Sequence, residues 1–293
     1  MPIRDVFLAL LVPCLWGFGF VISKSAMDQL PPILLNGLRW SLTGILMFWF
    51  FPFPKKILKR LIIVSIFFSI QYSLTYSALN IIDASSASFF IQAEVPFGLL
   101  AAYLLLGEKL SFKNFIGLII SSIGIIFLTG SPNLEGKLFG VIIILSGTCI
   151  WSFAQVLAKP ISKEIGGLAL TAWLGVFSAP MCILASYFIE GNTINYILNA
   201  DLKNWIIVIY LGVMMNVVGY SAWYHVISKH PINNIMPVLL LLPLTGLLTA
   251  IFVLGETPNV YSYIGGSIII FGVTIILINK NKKNSIKSKE NYR

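Results

Sequence analysis

Apolar runs of about 20 residues follow one another along the chain, separated by short polar breaks, and within each run the hydrophobic positions are continuous rather than alternating. At about 1.5 Å of rise per residue, a helix of this length crosses a hydrocarbon layer of about 30 Å. The pattern predicts ten membrane-crossing helices, at 4–24, 33–53, 61–81, 84–106, 113–130, 138–158, 168–189, 204–226, 234–254 and 261–279, here called spans 1 to 10. A barrel is excluded, because its strands would alternate apolar and polar side chains. Most breaks are short, as helical hairpins require. The longest, EGNTINYILNADLKN at 190 to 204, has too little apolar content for a core of its own. The first run lacks a clear small-residue cleavage site and is followed at once by further runs, so it reads as span 1 rather than as a leader.

Composition agrees with this pattern and adds an orientation. Hydrophobic residues make up 57% of the 293 and charged residues only 11%, with a mean hydropathy of +0.89, whereas soluble domains carry roughly 25% charge. Lys and Arg favour cytoplasmic loops. With both termini cytoplasmic, all of them fall on that side except Lys24, Lys137 and Lys203 outside and Arg39 within span 2. The net charge of +9 is then a topology signal and calls for no nucleic acid. The basic tail 281–293 is solvated or touches anionic lipid headgroups.

Several chemistries find no support. Cys14, Cys149 and Cys182 lie within spans and suggest neither a disulfide nor a metal site. No GxxxxGK[ST] loop is present for ATP hydrolysis, and no HExxH for a metalloenzyme. His225 and His230 both sit near the cytoplasmic end of span 8, far from any positioned nucleophile or dyad. The chain therefore reads as a non-enzyme without a cofactor.

Two phrases are written twice. CLWGFGFVISK at 14 to 24 returns as CIWSFAQVLAK at 149 to 159, which makes Trp16 and Trp151 counterparts. LGEKLSFKNFIGLIISSIGIIFL at 106 to 128 returns from 254, with Gly107, Glu108, Gly117 and Gly124 falling on Gly255, Glu256, Gly265 and Gly272. Two five-helix units follow, at 1–131 and 136–280. An odd number of spans per unit makes the second enter the membrane from the opposite side, and inverted repeats of this kind frame a midplane site in alternating-access transporters. The repeat spacing widens toward the end of the chain, which places an insertion at 190 to 204.

The phrases WGFGFVISKSAMDQLPPILLNGLRW at 16 to 40, the two LGE turns and LLLLPLTGLLTAIFVLGE at 239 to 256 resemble the EamA family of the drug/metabolite transporter superfamily. They are more closely similar to its bacterial exporters of cysteine-pathway metabolites and other amino acids. The resemblance covers nearly the whole chain. It implies ten helices in two inverted halves, a central cavity lined by spans 1, 3, 4, 6, 8 and 9, and secondary export of amino acids or related small polar metabolites across a bacterial inner membrane. Import or exchange by the same fold is the first alternative and an intramembrane enzyme a remoter one, and protons are the candidate coupling ion.

Glu94 leads the candidate residues. Ten residues into span 4, it lies about 15 Å deep, where an ionisable side chain costs about 2.5 to 3.5 kcal/mol unless it meets a cavity or partner. It either takes up a proton or substrate ammonium, or serves as a structural acid bonded to a neighbouring helix. Pro96 and Pro243 interrupt matching spans 4 and 9, each freeing the carbonyl four residues earlier, at Gln92 and Leu239. Paired interruptions suggest gating, with helix packing as the plainer reading. Trp16, Gln71, Tyr72, Tyr76 and Gln92 occur at similar depth, and Asn216, Tyr220 and Trp223 have the spacing of one helical face; these complete the expected substrate site.

Other charges have structural readings. Arg39, about 9 Å below the outer end of span 2, is expected to reach outward or to pair with Asp28 or Asp83, the alternative being a substrate carboxylate at the outer mouth. Lys24 and Lys159 are expected to anchor helix ends at the interface. Glu108 and Glu256 are expected at turns, each beside the first turn of its own following helix.

Overall fold

The computed structural model describes residues 3–106, 112–229, 238–239 and 241–290, and all regular structure among them is helical. Spans 1 to 3 form α1 (Ile3–Ala26), α2 (Pro32–Met47) and α3 (Leu58–Ile81). Span 4 is divided into α4 (Ala84–Phe90), a 3-10 turn at Ile91–Ala93, and α5 (Glu94–Leu106). Next come α6 (Phe112–Thr129), α7 (Leu138–Ile165) and α8 (Gly167–Ile189). A short helix, α9 (Thr193–Asn199), fills the long polar break.

Span 8 is also divided. α10 (Leu202–Ile209) runs into a π-helical segment, Tyr210–Tyr220, and then into α11 (Ser221–Lys229). The last two helices are α12 (Leu241–Leu254) and α13 (Val260–Glu290). Among the described residues, seven helical paths are long and apolar enough to cross a membrane, and Phe115–Leu128, Leu241–Leu254 and Val260–Ile275 are shorter apolar helices.

Burial is distributed as lipid solvent demands. Phe139, Phe188 and Phe252 stand outward at 70%, 75% and 81% exposure, while Asn36, Arg39, Gln92 and Asn216 are fully enclosed. In water that arrangement would expose apolar surface and bury polar groups; in a bilayer it hides the polar groups from hydrocarbon. The protein is a multi-pass helical membrane protein.

The principal helix pairs join the two halves of the chain. α1 packs along α12, α2 along α8, α3 along α7, and α6 along α13; α5 also meets α7, and α1 meets the π segment. The α6–α13 crossing explains the repeated glycines. A Cβ on Gly124 would stand 2.7 Å from the Ile269 nitrogen and 3.0 Å from the Gly265 carbonyl, and one on Gly272 would stand 2.6 Å from the Ser121 nitrogen and 2.8 Å from the Gly117 carbonyl. Each glycine presses on the counterpart of what presses on the other. No larger residue fits without separating the backbones.

Helix ends are tied by carboxylates from distant segments. Glu190, just past α8, accepts from the Ile33 and Leu34 N–H groups at 2.7 and 2.9 Å, closing the first turn of α2. Glu256 accepts from Ala84 and Ser85 at 2.8 and 2.9 Å. The expectation that Glu256 serves its own following helix is therefore corrected: it caps α4, where four orphan N–H groups and the positive dipole end are available. Lys24 is corrected as well. Its ammonium donates to the Ile82 carbonyl at 2.6 Å and lies 3.5 Å from Glu256, so it ties α1 to this junction instead of anchoring in lipid. Glu108 and His230 lie outside the described residues.

Candidate functional site

Two prolines shape the centre of the molecule. Pro96 is the third residue of α5, where its ring offers no N–H to the Gln92 carbonyl. Upstream, the backbone tightens into the 3-10 turn Ile91–Ala93, so Gln92 and Glu94 sit at a break in span 4 instead of on a continuous helix. Pro243 is likewise the third residue of α12 and leaves the Leu239 carbonyl without its helical donor. That carbonyl is found by Gln92, whose Nε2 donates to it at 3.2 Å. The two interruptions are thus bonded to each other across the halves of the chain.

Beside this junction lies a narrow central cavity. α1 supplies Trp16 and Phe20, α3 supplies Gln71, Tyr72 and Thr75, and the break in span 4 supplies Ile91 and Glu94. The far wall is Thr148 and Trp151 of α7, Met215 and Tyr220 of the π segment, and Leu242 of α12. These elements are spans 1, 3, 4, 6, 8 and 9. The wall is mostly aromatic and aliphatic, with two unsatisfied polar atoms: among the described residues, Gln71 Nε2 and Glu94 Oε1 have no hydrogen-bond partner. A buried polar group left unpaired costs about 1 to 3 kcal/mol, more if charged. One donor and one acceptor on an apolar wall suit a small molecule with an apolar body and polar ends.

Of the residues expected from sequence, Trp16, Gln71, Tyr72, Glu94 and Tyr220 line the cavity. Tyr76, Gln92, Asn216 and Trp223 do not: Tyr76 bonds Arg39, Gln92 bonds Leu239, Asn216 donates to Thr43 Oγ1 at 3.1 Å, and Trp223 donates to Gln155 Oε1 at 3.3 Å. The expected single face of Asn216, Tyr220 and Trp223 holds only in part: the Tyr220 and Trp223 rings lie 4.6 and 5.7 Å from that of Trp16, whereas Asn216, inside the π-helical segment Tyr210–Tyr220, is turned to Thr43. Tyr210 reaches the Leu15 carbonyl at 3.3 Å, the Met215 carbonyl accepts from Trp16 Nε1 at 3.2 Å, and the Tyr220 ring lies 4.6 Å from that of Trp16, so all three meet α1.

Arg39 is the largest departure from expectation. It neither reaches outward nor pairs with Asp28 or Asp83; it is fully buried. Asp83 caps α4 instead, accepting from the Ser86 N–H at 2.9 Å. Depth counting placed Arg39 near the outer surface, but α2 packs along α8 and the π segment and turns this residue inward. Cavity residues not anticipated as ligands include Phe20, Thr75, Thr148 and Met215. Trp151 was signalled only as the counterpart of Trp16.

The chain was compared with known proteins. The model of the EamA-like transporter family matches residues 4–130 and again 138–278. This chain belongs to the EamA-like transporter family. It is 26% identical over 297 residues to the "Probable amino-acid metabolite efflux pump" of Escherichia coli K12, covering 98% of this chain and 99% of that protein. It is 27% identical to the Salmonella typhimurium protein of the same name, covering 94% and 95%. A further relative is the "Uncharacterized inner membrane transporter YedA" of Escherichia coli K12, at 23% identity over 96% of this chain and 92% of that protein. One solved crystal structure superposes with a TM-score of 0.65 at 17% identity, covering 94% of this chain and 98% of the other, and shares its fold.

Proposed function

We propose that this protein is a secondary transporter that exports amino acids or related small polar metabolites across a bacterial inner membrane by alternating access. The observation that carries the proposal is the cavity itself: six spans drawn from both halves line it, and Glu94, which has a buried oxygen without a partner among the described residues, is one of the lining residues. The efflux-pump names of two full-length relatives support the substrate class and the direction. In this reading ten helices cross the membrane as two inverted five-helix repeats, 1–131 and 136–280, with both termini and the basic tail 281–293 in the cytoplasm.

Packing supports the inverted repeat by its exchange symmetry. Swapping each span for its counterpart turns the α1–α12 pair into the α7–α5 pair, and the α3–α7 pair into the contact of the π segment with α1. The α2–α8 and α6–α13 pairs map onto themselves. Such a bundle alternates between two faces by rocking one half against the other around the fixed site. The protein is read as a non-enzyme whose partners are its substrate, lipid and coupling protons.

Reconstitution in liposomes tests the proposal. Labelled amino acids and cysteine-pathway metabolites are followed with and without a proton gradient. Saturable, protein-dependent flux is expected. Chemical turnover of a compound without flux would overturn the transporter reading, and net uptake into cells would overturn the export direction.

A further inference from the structure

Arg39 carries more charge than its surroundings answer. It lies in α2, a membrane-spanning helix, with none of its surface exposed. Its Nη1 donates to the Tyr76 hydroxyl and sits 3.3 Å from the Met215 sulfur. Its guanidinium carbon lies 4.1 Å from the centre of the Tyr72 ring and 4.8 Å from that of Tyr76. Among the described residues, Nε and Nη2 have no acceptor, and no carboxylate lies within ion-pair distance.

Aromatic faces stabilise a cation, but they leave N–H groups unsatisfied, and an uncompensated charge in the membrane interior is expensive. The structure also shows where compensation can arrive. Tyr72 and Met215, which touch the guanidinium, both line the central cavity, so Arg39 stands one side chain behind its wall. A thioether is a weak acceptor on a flexible stem. It occupies a place that a carboxylate fills far better, because the guanidinium fork matches two oxygens at once. Met215 also belongs to the π segment, an irregular helix type that recurs at functional sites.

We propose that Arg39 is a specificity-determining residue that binds the carboxylate of the transported molecule once the Met215 side chain withdraws, so that the substrate class is a carboxylate-bearing metabolite. The proposal rests on the transporter reading and narrows it. Glu94, on the cavity wall, then serves the opposite end of a zwitterion.

The test compares, in liposomes, several labelled amino acids with the corresponding amides, which keep the ammonium and lose the carboxylate. Wild-type protein is expected to favour each acid over its amide by about 100-fold, the scale of a lost charge-assisted hydrogen-bond pair. Arg39→Gln is expected to collapse that ratio toward one, and Arg39→Lys to restore part of it. Equal handling of acid and amide by the wild type would overturn this proposal and leave the transporter reading standing; that measurement needs no variant, so misfolding of Arg39→Gln does not shield the idea. A uniform loss in both variants with the ratio unchanged would assign Arg39 a merely structural role. Absence of saturable flux for every compound would overturn the transporter reading, and this proposal with it.

Discussion

Gln92 Nε2 donates to the carbonyl of Leu239 at 3.2 Å, and that carbonyl is the one Pro243 deprives of a helical donor. The bond links the break in span 4 to the break in span 9. Gln92→Leu removes it and leaves a buried acceptor unpaired, which costs about 1 to 3 kcal/mol. It also removes the Gln92 Oε1 atom, itself buried without a partner among the described residues, so the net effect is expected at the low end of that range. Thermal unfolding in detergent reads it. A stabilised variant would show that the unpaired oxygen outweighs the bond.

The α6–α13 crossing gives a second, symmetric prediction. Gly124→Val and Gly272→Val each push a side chain against backbone atoms closer than 3 Å, and overpacking of this kind costs about 1 to 3 kcal/mol. Both force the same two helices apart, so the double variant is expected to cost less than the sum, as neighbouring substitutions do. Gly98→Ala is the control, since nothing lies within 4 Å of a Cβ added there. Strict additivity would show that the two glycines relax independently.

Glu256 holds α4 through two N–H groups and meets Lys24 at 3.5 Å, which makes it the hub of a junction between α1, α4 and the α12–α13 turn. Glu256→Gln keeps the size but loses the charge against the helix end, an effect of about 0.5 to 2 kcal/mol for a cap. Lys24→Met is expected to cost less, because the ion pair is partly exposed and long. Comparing the two melting temperatures decides the order; a larger loss for Lys24→Met would make its bond to the Ile82 carbonyl the principal tie.

These cases show what a sequence can and cannot reveal here. The long apolar helices and the glycine repeats were legible because hydrocarbon thickness and close helix crossings impose them locally. The capping role of Glu256 was not legible, since its partners are about 170 residues away in the chain. Trp16, Gln71, Tyr72 and Glu94 were singled out by residue type and depth and Tyr220 by helical spacing, and these five line the cavity. Depth does not reveal facing, however: it set Arg39 near the outer surface, whereas the packing of α2 turns it into the centre. The π segment has no side-chain signature, so counting at 3.6 residues per turn grouped Asn216 with Tyr220, while the wider turn groups Tyr220 with Met215.

Glu94 carries the last prediction. Its side chain lines the cavity at 4% exposure with an unpartnered oxygen, and its backbone carbonyl accepts from Ser152 Oγ at 2.9 Å, which fixes the break to α7. The side chain is therefore free to exchange a proton or meet an ammonium while its main chain stays anchored. Glu94→Gln preserves shape and hydrogen-bonding capacity but cannot ionise. If Glu94 couples protons to substrate, the variant is expected to lose uphill flux driven by a pH gradient while keeping downhill exchange between two substrate pools, and its exchange rate is expected to be flat across pH. If the carboxylate instead holds the substrate ammonium, both modes fall together, by roughly 10- to 100-fold for a lost charge-assisted bond. Uphill flux and pH dependence equal to wild type would rule out both roles and leave Glu94 as a structural acid.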